Sequence, residues 1–396
     1  MDKEGGYDIA QYLTDHFFSI PSQSDIDFCT LRADIALLLD IMRFFPQTDI
    51  LHRMLSKGAA KAFANALVAI ASQACTMDAA RLTQFEFDRI HCLTALLGRC
   101  FAGGLTWACD ALDCHFLIAL LQMSVLPGGD DPESTELLAL YTSYAKLMNL
   151  LKPYLVYRSV LNRACREMKI VRHSELVERL DERNPFRLAL EDVEKEVERL
   201  KAIQREFEAT NTVFNVCSVR KCWYAKPGSK IRRCSGCQVA IYCSRQCQQA
   251  DWSTHKQTRH IYDNPKDGLS RRISQLDQLF PKFLIQREIR DHPVRSPAHN
   301  GSKNYRSKTR AEEIVVQFDC RVSPIRVTYT TAAKVLEDMV ARSGGLDHNQ
   351  TELQWAKDRM IMLKGRVREN PHGLILCYML YPAAHQDSFV LYAEQV

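Results

Sequence analysis

From the start of the chain to about residue 210, apolar residues recur at intervals of three and four and β-rich runs are scarce, which is the pattern of amphipathic helices. Leu31, Ile35, Leu38, Met42 and Phe45 form one stripe, stopped by Pro46. A second runs through Ala60, Phe63, Leu67, Ala71 and Ala74, and a shift of 45 residues carries it onto Leu105, Ala108, Leu112, Phe116 and Ala119. Glycine precedes both copies, Gly58 in one and Gly103-Gly104 in the other, so each helix is expected to be entered through a tight turn. That period lies in the range of armadillo- and HEAT-like repeats, whose units stack to bury their apolar faces. An irregular helical bundle fits the same stripes.

The run Pro127-Gly128-Gly129-Asp130-Asp131-Pro132 reads as a loop, after which Leu137, Leu140, Tyr144, Leu147 and Leu151 mark a helix that Pro153 should end or kink. Asn184-Pro185 offers an N-cap followed by proline at the first helical position. Leu190, Val193, Val197, Leu200, Ile203 and Phe207 then define one face of a long charged helix, with Glu191 and Lys195 spaced for an i,i+4 ion pair. The face is too short for a sustained coiled coil, so it is expected to pack on the preceding helices and deliver the next segment to the surface.

Beyond residue 260, Ile273, Leu276, Leu279 and Phe280 predict a short helix, and residues 291–311 form a basic linker that contains Arg306-Ser307-Lys308-Thr309-Arg310. Residues 312–396 read as a small α+β domain. Its strands are expected near Ile314–Phe318, Ile325–Tyr329, Gly373–Tyr381 and Ser388–Tyr392, with helices near Ala332–Arg342 and Glu352–Leu363. A two-strand, helix, two-strand order fits a mostly antiparallel sheet covered by helices. At 396 residues the chain is longer than one core usually serves. The expected fold class is multidomain: a mainly α-helical region over 1–210, a small finger over 217–260 and the α+β region.

No apolar run reaches the length of a membrane span; the longest, near Phe116–Leu126, is interrupted by Gln122 and Ser124. Met1 to Ala10 is charged and contains glycine, with no apolar signal segment, which predicts a reducing intracellular compartment, nucleus or cytoplasm. Nine of the 15 cysteines (Cys29, Cys75, Cys92, Cys100, Cys109, Cys114, Cys165, Cys320 and Cys377) fall mostly in apolar patterns and are expected to fill cores. Asp110, Asp113 and His115, beside Cys109 and Cys114, read as polar positions of an apolar helix rather than a metal site.

The remaining six cysteines lie between residues 217 and 260 and carry the chemistry. Cys217, Cys222, Cys234, Cys237, Cys243, Cys247, His255 and His260 are separated by four, eleven, two, five, three, seven and four residues. Eight such ligands in 44 residues suffice for two closed tetrahedral zinc sites. A segment this short and polar cannot bury enough apolar surface to fold unaided, and structural zinc supplies about 10–16 kcal/mol per ion in small finger peptides. Ile231, Val239, Ile241, Tyr242 and Trp252 are the expected mini-core. Nine Lys or Arg against Asp251 give the segment a local charge of +8, above the +5 of the whole chain. Lys221, Arg233 and Arg245 in particular favour the thiolate form of their neighbours. Complete ligand sets leave no open position for a catalytic water, so the zinc is expected to be structural.

Arg233-Cys234-Ser235-Gly236-Cys237, Ile241-Tyr242-Cys243-Ser244, Cys247-Gln248 and Asp251-Trp252-Ser253-Thr254-His255-Lys256 together resemble the MYND-type zinc finger. The resemblance implies two interleaved ions, one held by Cys217, Cys222, Cys243 and Cys247, the other by Cys234, Cys237, His255 and His260. It also implies docking of short proline-containing peptides of partner proteins, often transcriptional corepressors. The sequence departs from the family pattern twice. Four residues separate Cys217 from Cys222 where many members have two, and Arg259 stands where the final ligand is usual, with His260 one residue later.

A peptide adding to the finger's hairpin would place an apolar side chain near Trp252, Gln248 and Gln249. Nucleic-acid binding by the basic finger and linker is the alternative. A SET-type methyltransferase would need Asn-His-Ser-Cys and Gly-Glu-Glu-Leu-like runs, and neither occurs. There is no glycine-rich phosphate loop or nucleophile elbow. The expected role is therefore non-enzymatic.

Overall fold

The computed structural model describes residues 9–19, 33, 53–55, 57–75, 84–102, 104–125, 135–209, 232–234, 241–263, 275–291, 314–322, 325–342, 358, 360, 361, 363, 364, 374–381 and 388–395. The stripe residues Leu31, Ile35, Leu38, Met42 and Phe45, the loop Pro127–Pro132 and the basic linker beyond Asp291 lie outside them.

The N-terminal region is helical: α1 (Ile9–Ser19), α2 (Ala59–Ala74), α3 (Gln84–Ala102), α4 (Leu105–Leu112), α5 (Phe116–Ser124), α6 (Thr135–Leu151), α7 (Arg158–His173) and α8 (Pro185–Ala209). They stack in two layers. In one, α1 packs on α2, α2 on α4 and α5, and these on α7; in the other, α3 packs on α6 and α6 on α8. Bonds between stacked elements span 50 to 53 residues: Arg163 Nε donates to Asp113 at 2.8 Å, His91 and Ser143 meet at 2.9 Å, and the Tyr154 hydroxyl donates to the Phe101 carbonyl at 2.5 Å. The two stripes fall on α2 and on α4–α5, and the first residues of α2 and α4, Ala59 and Leu105, are 46 positions apart.

Local chemistry sets the boundaries. Gly58 and Gly104 precede α2 and α4 with φ of 93° and 128°, conformations that only glycine adopts without a Cβ penalty. The first stripe, Ala60 to Ala74, is wholly buried. The second is buried at Ala108, Leu112, Phe116 and Ala119 but is divided between two helices by the turn 113–115, where His115 has φ of 61°. Pro153 ends α6 as expected, and the chain continues as a 3-10 turn over Lys152–Val156. The Asn184 side chain caps α8, accepting from the Phe186 amide at 2.9 Å and the Arg187 amide at 3.3 Å. The face from Leu190 to Phe207 is buried, and α8 packs on α6 and α7. The expected pairing of Glu191 with Lys195 is replaced: Arg187 reaches Glu191 at 3.0 Å while also donating to the Leu180 carbonyl at 2.7 Å, which holds its guanidinium over that carboxylate.

After the finger the chain returns. Helix α10 (Gln275–Asp291), longer than the short helix expected, packs on α7 and α8. Phe207 of α8 meets Phe280 and Phe283 of α10 with ring centroids 5.6 and 5.3 Å apart, and Arg287 pairs with Glu206 at 3.1 Å.

The C-terminal strands β3 (Ile314–Asp319), β4 (Arg326–Thr331), β5 (Leu374–Tyr381) and β6 (Ser388–Gln395) form a sheet in the order β4-β3-β5-β6. Two shorter strands, β1 (Arg232–Arg233) and β2 (Ile241–Tyr242), precede them in the finger. Both outer pairings are antiparallel, as expected, and the central β3–β5 pairing is parallel, with Val316 opposite Cys377. A parallel pair needs a crossover, and helix α11 (Ala332–Arg342) lies in that crossover and packs on β3 and β4. Residues 358, 360, 361 and 363 of the second expected helix are helical, as is 364 just beyond its expected end. Val316, Phe318 and Cys320 join the same buried cluster as the helical layers.

Among the cysteines outside the finger, Cys100, Cys109, Cys114 and Cys320 are buried, and Cys92 and Cys165 half-buried, consistent with core filling. Cys75 is exposed, because it caps the C-terminus of α2 rather than extending its apolar stripe. Cys29 and Cys377 have no described side chain.

Candidate metal centre

Between α8 and α10 the described residues form a short hairpin and a helix. Strand β1 (Arg232–Arg233) pairs antiparallel with β2 (Ile241–Tyr242), Arg232 opposite Tyr242 and Arg233 opposite Ile241. Helix α9 (Arg245–Asp263) follows two residues later and packs on β2. Ser244 begins it: its hydroxyl accepts from the Cys247 amide at 3.1 Å and its carbonyl from the Gln248 amide at 3.1 Å. Cys243 and Cys247 are thereby held together at the N-terminus of α9.

Their sulfurs are 3.4 Å apart. A disulfide requires about 2.05 Å. Two thiolates on one tetrahedral zinc, at about 2.3 Å each, stand about 3.8 Å apart. The pair therefore fits a shared zinc ion. Cys234 is 3% exposed and follows β1 at the end of the ladder marked by Ile241, whereas Cys243 follows β2 at the end marked by Arg232. Among the described residues these thiols do not gather into a group of three. The hairpin thus separates Cys234 from the Cys243–Cys247 pair.

Tyr242 is fully buried, and its hydroxyl donates to Asp251 Oδ2 at 2.9 Å, fastening β2 to the second turn of α9. The sequence marks Asp251 as the one acid of a basic segment and as part of the motif around Trp252, and neither reading assigns it this partner. The signal was available in the nine-residue spacing from a strand aromatic to a helical carboxylate, but only the fold shows that they meet. Of the expected mini-core, Tyr242 is buried and Trp252 is not: Trp252 is 41% exposed on α9. The side chains of Ile231, Val239 and Ile241 are not among the described residues. Gln248 is half-buried and Gln249 exposed. Position 252 lies four residues from 248 and three from 249, so each of the two is its neighbour on the helix surface.

Cys217, Cys222 and Cys237 lie outside the described residues, and His255 and His260 are placed by backbone alone. Helix α9 runs through both histidine positions. A separation of four would set them on one face, whereas five positions at 100° per residue leaves them about 140° apart around the axis.

Elsewhere, Asp113 is engaged by Arg163 at 2.8 Å and Arg166 at 3.1 Å, and His115 Nδ1 lies 2.5 Å from Glu167 Oε1. These are ties between α4, α5 and α7, in keeping with a structural role.

Residues 215–258 match the family model of the MYND finger, a zinc-binding protein-interaction module. The match takes in seven of the eight expected ligands and ends before His260. Comparison with curated proteins and with solved structures gave no match. Among the described residues no helix is long and apolar enough to cross a membrane.

Proposed function

We propose that this chain is an adaptor whose MYND finger, closed by two structural zinc ions, docks short proline-containing peptides of partner proteins, in a transcriptional setting. The observation that carries the reading is Trp252, 41% exposed on a helix whose first turn bears the Cys243–Cys247 pair. An exposed indole flanked by Gln248 and Gln249 offers an apolar shelf for a proline ring and amides for the peptide backbone. Zinc here preorganises the shelf: Cys217, Cys222, Cys243 and Cys247 hold one ion, and Cys234, Cys237, His255 and His260 the other. Zinc supplies the folding free energy and fixes α9 against the hairpin. For His260 to close its site, metal binding has to end the regular helix between His255 and His260. With four protein ligands on each ion, no catalytic role is assigned. The stacked helix pairs are read as an armadillo- or HEAT-like solenoid that carries the finger.

The local +8 charge of the finger favours nucleic acid as a second reading. Salt separates the two. Peptide affinity should fall only modestly from about 50 to about 200 mM salt, while a complex neutralising six or more phosphates should weaken roughly 10³-fold. Tight DNA or RNA binding with that steep slope, lost in the double variant Arg232→Ala, Arg233→Ala, would overturn the peptide reading.

A further inference from the structure

Apart from the finger, the helical region carries an open apolar groove of about 460 Å³ between α5 and α7. Ile118 and Gln122 of α5 form one wall, Lys169, Ile170 and His173 of α7 the other, and Leu176 closes the end. Ile170 is 38% exposed there, an uncommon position for isoleucine. The lining holds one cationic side chain, Lys169, and no carboxylate. Among the described residues each arginine of α7 is matched to an acid, Arg158 to Glu208, Arg163 and Arg166 to Asp113, and Arg172 to Glu194 and Glu198. Lys169, on the rim, has no such partner among them. The ends of α7 are otherwise satisfied, since His173 Nδ1 bonds the Lys169 carbonyl at 2.6 Å and the Ser174 amide the Ile170 carbonyl at 3.1 Å.

We propose that this groove is a second docking site, independent of the finger, for a short acidic peptide with apolar side chains at helical spacing. Its apolar residues lie on Ile118, Ile170 and Leu176. One of its carboxylates pairs with Lys169, completing the series of matched cations along α7. The volume accommodates a few side chains rather than a folded domain, and the open form suits a segment laid along it.

The test uses the full-length zinc-loaded protein and a fluorescein-labelled helical peptide of about three turns, with leucine on one face and glutamate on the other. Fluorescence anisotropy should show saturable binding, weakened about tenfold or more by Lys169→Glu and by Ile170→Glu, and by replacing the peptide glutamates with glutamine. Both protein positions are exposed, so the variants should keep the helical circular-dichroism signal. Trp252→Ala should bind the probe as the parent does, which separates this site from the finger. Equal binding by Ile170→Glu, or loss of binding in Trp252→Ala alone, overturns the proposal. So does concentration-dependent dimerisation of the free protein that Ile170→Glu abolishes, since a second copy would then cover the groove.

Discussion

Asp277, in the first turn of α10, accepts hydrogen bonds from the backbone amide of Ser159 at 2.6 Å and from its hydroxyl at 2.5 Å, joining the chain after the finger to the start of α7, 118 residues earlier. The carboxylate is buried, so it serves as an N-terminal cap supplied from another helix. Asp277→Ala should leave those donors unsatisfied and cost about 1–3 kcal/mol, read as a lower midpoint in urea unfolding. An unchanged midpoint would show that the bonds contribute nothing to stability.

The finger is held at both ends by this closure, yet its buried residues Cys234 and Tyr242 are not part of the cluster shared by the helical layers and the sheet. Removing zinc should therefore release the finger and leave the rest folded. Chelation should open proteolytic cleavage within residues 217–260 while the main thermal transition holds its position. A shift of that transition by many degrees would mean that the stack depends on the metal.

The helical stripes and caps were legible in the sequence because they are local. Ala60 to Ala74, Leu190 to Phe207 and the Asn184 cap depend on spacing and on one side chain each, and all were found as expected. The break at His115, the exchange of Lys195 for Arg187 as the partner of Glu191, and the return of α10 onto Phe207 depend on which surfaces meet. In the site, the pairing of Cys243 with Cys247 is implied by the family resemblance, whereas the exposure of Trp252 and the Tyr242–Asp251 bond follow from how α9 lies on the hairpin.

Glu167 is 1% exposed, and burial pushes its carboxyl above the usual carboxylate range, partly offset by the hydrogen bond and charge of His115. The folded chain therefore holds this proton more tightly than the unfolded chain does. The resulting stabilisation is present below the unfolded pKa and is lost as pH rises through the raised folded value. Glu167→Gln carries no such loss. The stability of the parent relative to Glu167→Gln should thus decline as pH is raised from about 4, and His115→Ala should extend the decline to higher pH without moving its onset. A difference independent of pH would remove the assignment.

The helix register bears on the proposed second zinc site. His260→Ala should lower zinc affinity at that site and leave the other ion bound, whereas Cys237→Ser should abolish the second site altogether. Elemental analysis after graded chelation distinguishes the two. Equal zinc affinity in the parent and His260→Ala would mean that α9 stays regular and that water or another residue takes the fourth position.

Docking of peptides on the Trp252 face is the central claim, and titration of zinc-loaded full-length protein against an array of proline-containing peptides tests it most directly. The account predicts saturable binding of a subset, little changed from about 50 to about 200 mM salt. That binding should be lost in Trp252→Ala, which stays folded because the indole is already 41% exposed, and lost again on chelation. Binding that survives both Trp252→Ala and zinc removal, or no binding to any such peptide, would contradict it.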